Sequence, residues 1–411
     1  MPWLRESQGD GSVPPSDEAA LEAAEGDPAG PSPTRRERPA VASACHGAQG
    51  IRPSMEDAHA VVDELEIGPL GGIGIGRQSF YAVYDGHNGK EAADFVCSQL
   101  HGQLEQELLV SAHRVHPGTT SRDLDLLVLA SLRAAFALTD ETYVREGNGD
   151  SGCTAVAALL LGARLYVANL GDARCVLCRA GEALAMSEDH SPDRPDEVMR
   201  VQGAGGFVEN GRVMGKIAVA RAFGDAKFKD PESSILKPHG VSRPVVSAEP
   251  DFVIKDVDGE GNEFLLLACD GLFDVMTNQA ATDFVRERLA AGSALPAICE
   301  VRVVVVPACM PALLAPRLLG TDRLTDHPTL LSLVCSHSLA AQDLANHALQ
   351  IGSTDNVSVM VVKLTPPAAG AEDRSEYAHN SRGVHLAPVS PTPLPSAACA
   401  APAAAVCPVD I

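Results

Sequence analysis

The sequence predicts a mixed α+β fold, and three observations carry that reading. Apolar runs of strand length, Phe80–Tyr84, Phe264–Cys269 and Val357–Val362, each border a carboxylate, namely Asp85, Asp270 and Asp355. Between them lie segments with the period of an amphipathic helix: Lys90–Leu109 carries Ala92, Ala93, Phe95, Val96, Leu100 and Leu104 near i, i+3, i+4 spacing, and residues 123–145 form a second, more apolar helix. Finally, Ser151–Leu161, a Gly162-Ala163-Arg164 turn and Leu165–Asp172 read as a β-hairpin, with Asp172 again at a strand end. A chain of 411 residues has room for one large domain or two ordinary ones, with a sizeable core.

Acids at the tips of buried strands need compensation, because a desolvated carboxylate is costly unless something positive faces it. For several aspartates without histidine or thiolate partners, a hard divalent cation is the simplest compensator. The working expectation is a carboxylate-held metal centre.

Composition narrows the classes of partner. A formal net charge of −22 argues against nucleic acid or an anionic membrane. No apolar run reaches the roughly 18 residues of a membrane span. The acidic, proline-rich start lacks the charged-then-apolar order of a signal peptide, so cytosol or nucleus is expected. Eleven cysteines, an odd number scattered through apolar runs, read as reduced core thiols. Cys175 and Cys178 form a lone CxxC inside a strand-like run with no second pair, which favours core packing over zinc.

In chain order, residues 1–43 are rich in Pro, Gly, Ser and Glu and read as a disordered tail, with Arg35-Arg36-Glu37-Arg38 as a solvated basic knot. Residues 44–365 form the folded domain. Near its start, Arg52, Glu56, Asp57 and His59 precede a short apolar strand. Two readings stand there with equal weight: a surface loop of internal salt bridges, or an arginine facing an anion beside acids facing a metal. Gly71–Gly76 lacks the order of a phosphate-binding loop and reads as a hairpin loop. Gly149-Asp150-Ser151-Gly152 looks like a protease nucleophile loop, but no partners are spaced for it, and a turn is expected. Residues 189–240 hold a short helix near Asp196–Gln202 and many glycines, the texture of a loop-rich lid. A helix is expected over Gln279–Leu289. From Val301 to about Cys335 the chain is apolar, punctuated by Pro307, Pro311, Pro316 and Pro328, and fits no helix or strand template for long. A helix from Leu339 and a strand within Gly352–Leu364 close the domain, and residues 366–411 read as a disordered Pro/Ala-rich tail.

Taken together, Arg52-x-x-Met55-Glu56-Asp57-Ala58-His59, Asp85-Gly86-His87-x-Gly89, Gly152-Cys153-Thr154-Ala155, Leu170-Gly171-Asp172-Ala173-Arg174, Gly205-Gly206-x-Val208, Ala220-Arg221-Ala222-Phe223-Gly224-Asp225, Cys269-Asp270-Gly271-Leu272-Phe273-Asp274 and Asp355-Asn356 resemble the metal-dependent type 2C Ser/Thr protein phosphatases. Eight motifs in this order, over roughly Cys45 to Leu364, make the resemblance specific. It implies a four-layer α-β-β-α sandwich of two stacked, mostly antiparallel sheets, with metals at one end of the cleft. It further implies two Mn²⁺ or Mg²⁺ ions bridged by Asp85 with the Gly86 carbonyl, Asp270 and Asp355 completing one ion and Glu56 acting through water. Asp172 and Asp274, with Asp270, match a weaker third site. In the same resemblance Arg52 grips the phosphate, His87 is the general acid, and Asp57 orders water or His87. The implied reaction is hydrolysis of phosphoserine and phosphothreonine by a metal-activated water, with phosphorylated proteins as substrates. A monomer is expected. No cysteine has an arginine six residues later, which excludes Cys-x₅-Arg chemistry.

Departures are also visible. Ala220 and Cys153 stand where the family usually has Ser or Thr, with little effect expected. The 301–335 block reads as an insertion. If it kept residues 339–364 from docking, Asp355 would be lost and the chain would be a catalytically silent binding protein.

Overall fold

The structure, a computed structural model, describes residues 43–68, 77–116, 118–147, 150–257, 261–292 and 328–364. The Gly71–Gly76 hairpin loop, both expected tails and residues 301–327 of the expected insertion lie outside the described residues.

Strands β1 (Ser43–Ala48), β2 (Ala58–Val62) and β3 (Gln78–His87) lead into helices α1 (Glu91–Ser111) and α2 (Ser121–Glu146). Then come β4 (Gly152–Leu161), β5 (Arg164–Leu170), β6 (Arg174–Arg179), β7 (Glu182–Ala185) and helix α3 (Pro195–Gly203). The short strands β8 (Val208–Glu209), β9 (Arg212–Val213) and β10 (Phe223–Gly224) precede β11 (Asp251–Asp256) and β12 (Asn262–Ala268). Helices α4 (Asp270–Phe273), α5 (Asn278–Gly292) and α6 (Pro328–Gln350) and strand β13 (Val357–Lys363) complete the domain.

One sheet runs β11-β5-β4-β3-β2, with β10 beside β4, and the other runs β1-β13-β12-β6-β7. Every pairing within them is antiparallel. Three apolar cores show how they stack. Along β3, Phe80, Ala82 and Tyr84 face α1 and α2, whereas Tyr81 and Val83 face the second sheet, where they meet residues such as Leu265, Leu267, Met360 and Val362. The far face of that second sheet, Phe264, Leu266, Val359 and Val361, packs on Ala281 and Val285 of α5 and Leu344 and Ala345 of α6. The layers are therefore α-β-β-α, as expected. Central strands covered on both faces are apolar at nearly every position, and β4 is buried from Gly152 to Leu161.

The helices start and stop where local chemistry dictates. Thr120 Oγ1 accepts the Asp123 amide at 3.2 Å, capping α2, and Gly147 closes it in the left-handed conformation. Cys175 and Cys178 lie three residues apart in β6 and so face opposite sides: Cys175 joins the core between the sheets and Cys178 the core under α5 and α6. Such a pair cannot grip one ion. Burial raises both thiol pKa values, that of Cys178 to about 11.

The loop-rich segment 189–240 packs with the residues just after it in a separate apolar core, built on Val201, Val213, Met214, Leu236 and Val245, with Arg221 buried between Glu197 and Asp251. The block 301–335 does not stay irregular to its end, because α6 begins at Pro328 and runs 11 residues ahead of Leu339, the expected start. Proline at the first helical position is favoured, since its missing N–H would have no partner there. The last strand does dock: β13 pairs with β1 on one edge and β12 on the other. Among the described residues, no helix is long and apolar enough to cross a membrane.

Candidate metal centre

Antiparallel order explains how acids distant in sequence converge. Strands β3 and β5 run one way and β2 and β4 the other, so the C-terminal ends of the first pair share an edge with the N-terminal ends of the second. Asp85 lies opposite Thr154, and Asp57 directly precedes Ala58, whose partner is Tyr84. Asp172 follows the end of β5. In the facing sheet, Asp270 follows β12 and Asp355 precedes β13, which runs antiparallel to it.

One carboxylate oxygen each from Asp85, Asp172 and Asp270 lie within 4.8 Å of one another. Asp85 also shares a second group with Asp57 and the Cys269 thiol, within the same limit. Both carboxylate oxygens of Asp57 are buried without a well-formed hydrogen bond. Burial first, then the Asp57, Asp270 and Asp172 charges, hold the Asp85 pKa well above the carboxylate range. Burial, with Asp270 and Asp355 adding and Ser358 and Cys269 opposing, pushes Asp57 up to about 6. Asp172 rises to about 7 from burial and Asp270, and Asp270 to about 6 from burial, Asp274 and Asp355. Four acids that burden each other in this way, one of them without a well-formed hydrogen bond, fit a divalent cation.

The remaining expected residues sit around this group. Asp274, the C-cap of α4, is exposed at the rim, and its pKa is raised by burial, Asp355 and Asp189 against Arg174. Glu56 is tied down: its Oε1 accepts Ser54 Oγ at 2.8 Å and its Oε2 accepts the Gly89 amide at 3.1 Å. Arg52 pairs with Asp355, Nη2 to Oδ2 at 2.5 Å, and its Nε donates to the Thr354 carbonyl. Gly86 has a reason beyond any approach to an ion. A Cβ there would meet the Glu56 carbonyl oxygen at 2.3 Å, and one at Gly271 would meet the Asn356 carbonyl at 2.1 Å. Each Asp-Gly pair thus lets the neighbouring acid-bearing segment pass against its backbone.

His87 Nε2 lies 2.7 Å from Asp225 Oδ2. Burial pulls the imidazole pKa down, but the Asp225 bond and charge, with Asp172 and Glu56, raise it overall. Asp225 and Asn356 stand in the motifs above with no role assigned to them. The Asn356 carboxamide joins Glu56 to Gln49 and Ser54 across about 300 positions of chain. Ser151, suspected only of turn formation, is a buried hub that accepts the Ala92 amide and shares a hydrogen with Tyr143.

The sequence profile of the family described as Protein phosphatase 2C matches residues 41–309. The chain belongs to that family. Among its protein phosphatase 2C relatives, homolog 2 of Hypocrea jecorina is 41% identical over 256 residues, covering 61% of this chain and 54% of the relative. Protein phosphatase 1B of Mus musculus is 36% identical over 262 residues, covering 61% and 63%. The chain spans a little over half the length of the curated fungal relatives it matches. Two solved structures share the fold: a serine-threonine phosphatase 2C from Toxoplasma gondii, at TM-score 0.55, 21% identity and coverage of 80% and 96%, and a C. elegans sex determining protein, at TM-score 0.55, 22% identity and coverage of 80% and 66%. The family profile ends at residue 309, whereas Asp355 and Asn356 lie beyond it, just before β13, where the Asp355 charge acts on Asp57 and Asp270.

Proposed function

We propose that this chain is a metal-dependent protein phosphatase that hydrolyses phosphoserine and phosphothreonine, with Mn²⁺ or Mg²⁺ as the ions. The observation that carries the reading is the convergence of Asp57, Asp85, Asp172 and Asp270, with a buried carboxylate among them that has no well-formed hydrogen bond. Asp85 belongs to both groups of facing ligand atoms and, with the Gly86 carbonyl, Asp270 and Asp355, would hold the ions, with Glu56 acting through water and Asp172 and Asp274 serving a weaker outer site beside Asp270. When bound, such ions supply a nucleophilic water at neutral pH and offset phosphate charge.

The chain's own groups do the rest. Arg52 is the cation placed to take the phosphate. Its exposed pairing with Asp355 is cheap to exchange, since such surface pairs contribute only about 0–1 kcal/mol. A guanidinium offers a phosphate two parallel hydrogen bonds. His87 gives a proton to the departing seryl or threonyl oxygen. Its Nε2 is engaged by Asp225 Oδ2, so Nδ1 is the nitrogen that carries that proton. Asp57, buried beside Asp85, orders what lies between the acids. Cys153 and Cys269 are no nucleophiles, because burial and neighbouring acids push both thiols far above neutrality. Substrates are proposed to be cytosolic or nuclear phosphoproteins, met by a single copy of the chain.

The non-catalytic reading depended on the 301–335 block keeping the last strand from docking. With β13 hydrogen-bonded on both edges, no observation favours it. The test is release of phosphate from a phosphothreonine peptide with Mn²⁺, with chelator, and by Asp270→Asn. Activity that requires Mn²⁺ and falls by about 100-fold or more in Asp270→Asn is expected. Equal rates with and without chelator would refute metal dependence.

A further inference from the structure

We infer that Asn356 is a positioning residue, a clasp that makes the loop carrying Arg52, Glu56 and Asp57 one mechanical unit with the strand carrying Asp355. Asn356 is buried, 5% exposed, and its carboxamide makes three hydrogen bonds to one segment of the chain. Oδ1 accepts the Glu56 amide at 2.8 Å. Nδ2 donates to the Gln49 carbonyl at 2.8 Å and the Ser54 carbonyl at 3.0 Å. These three contacts bracket Arg52 and hold a stretch, residues 49–57, that has no regular secondary structure of its own. Such a stretch keeps one shape only if something outside it satisfies its backbone.

The backbone of Asn356 extends the clasp in two directions. Its N–H donates to Asp355 Oδ1 at 2.7 Å, fixing the orientation of that carboxylate. Its carbonyl accepts the Cys269 thiol at 3.4 Å and lies where a Cβ at Gly271 would have to go, pinning it to the Asp270 turn. One residue therefore touches the three segments that supply Arg52 with Glu56, Asp270 and Asp355. Neither aspartate nor alanine could replace it unharmed. Aspartate keeps the Glu56 contact and sets a negative oxygen against two carbonyls, while alanine leaves one amide and two carbonyls unpaired.

The consequence for chemistry rests on the phosphatase reading, but the structural claim does not, and the experiment separates them. Backbone hydrogen exchange of the metal-free wild type comes first. The Glu56 amide, although in an irregular segment, is expected to exchange as slowly as amides of β13. In Asn356→Ala, amides of residues 49–57 are expected to exchange roughly tenfold or more faster, while those of β12 and β13 are unchanged. Asn356→Asp should keep protection at Glu56 better than Asn356→Ala does. With a phosphothreonine peptide and Mn²⁺, Asn356→Ala should raise KM and the half-saturating Mn²⁺ concentration roughly tenfold, with a smaller fall in kcat. A freely exchanging Glu56 amide in the wild type overturns the clasp, whether or not any variant folds. So does acceleration spread evenly through β12 and β13, which would mark plain loss of stability. If the wild type shows protection but neither Mn²⁺ dependence nor phosphate release, the clasp stands and the phosphatase reading falls.

Discussion

Arg52 shows how one side chain can have two partners in turn. It neutralises Asp355 at the rim of the site, and a phosphate would offer it a bidentate alternative. Its main contribution is therefore to substrate binding. Arg52→Ala is expected to raise KM for a phosphopeptide by roughly tenfold and to lower kcat less, as steady-state kinetics will show. A fall in kcat at constant KM would place Arg52 in the chemical step instead. At this scale the sequence was partly legible. Asp85, Asp270 and Asp355 stand at the ends of apolar strands, where a carboxylate has no structural excuse, and they announce themselves. Asp225 and Asn356 do not, since their partners lie 138 and 300 positions away and nothing local requires an acid or an amide.

At the scale of elements, the site depends on α6 and β13, which follow the stretch that fits no periodic template. Leu344, fully buried on α6, packs in the core that also holds Val359 and Val361 of β13. Leu344→Ala should cost about 2–5 kcal/mol by denaturant unfolding. Because Asp355 and Asn356 enter on β13, the same change should weaken Mn²⁺ binding although it touches no ligand. Intact Mn²⁺ affinity in a destabilised variant would show that the site is held independently of α6. The early start of α6 escaped the periodicity argument because Pro328 follows prolines at 307, 311 and 316 in the sequence and reads as one more breaker, whereas it stands at the first position of a helix, where proline is favoured. Strands β3, β4, β12 and β13 were legible to within a few residues, since strands covered on both faces write unbroken apolar runs.

At the scale of the whole molecule, two sheets stack so that strand ends from both meet at one edge, and the acid cluster exists only in the folded chain. Raised carboxyl pKa values have a definite sign in stability. Between about pH 4 and 7 the folded, metal-free chain retains protons on Asp57, Asp172 and Asp270 that the unfolded chain has released. These groups therefore favour folding below that window and cease to do so as pH rises through it. Glu197, by contrast, has its pKa lowered: burial raises it, but Arg200 and Arg221 more than reverse that. Its stabilisation is present above the ordinary glutamate range and is lost as pH falls. Bound cations would remove the penalty at the cluster by taking the place of the protons, so their affinity must rise with pH across the same window.

Calorimetric titration of the metal-free protein with Mn²⁺, at pH 5.5 and pH 7.5 and beside Asp85→Asn, tests this most directly. The wild type should bind Mn²⁺ at pH 7.5, bind it roughly tenfold or more weakly at pH 5.5 with release of protons, and lose most binding in Asp85→Asn. A folded wild-type chain that takes up no Mn²⁺ at pH 7.5, or binds it equally at both pH values and in Asp85→Asn, would contradict a cation held among these aspartates.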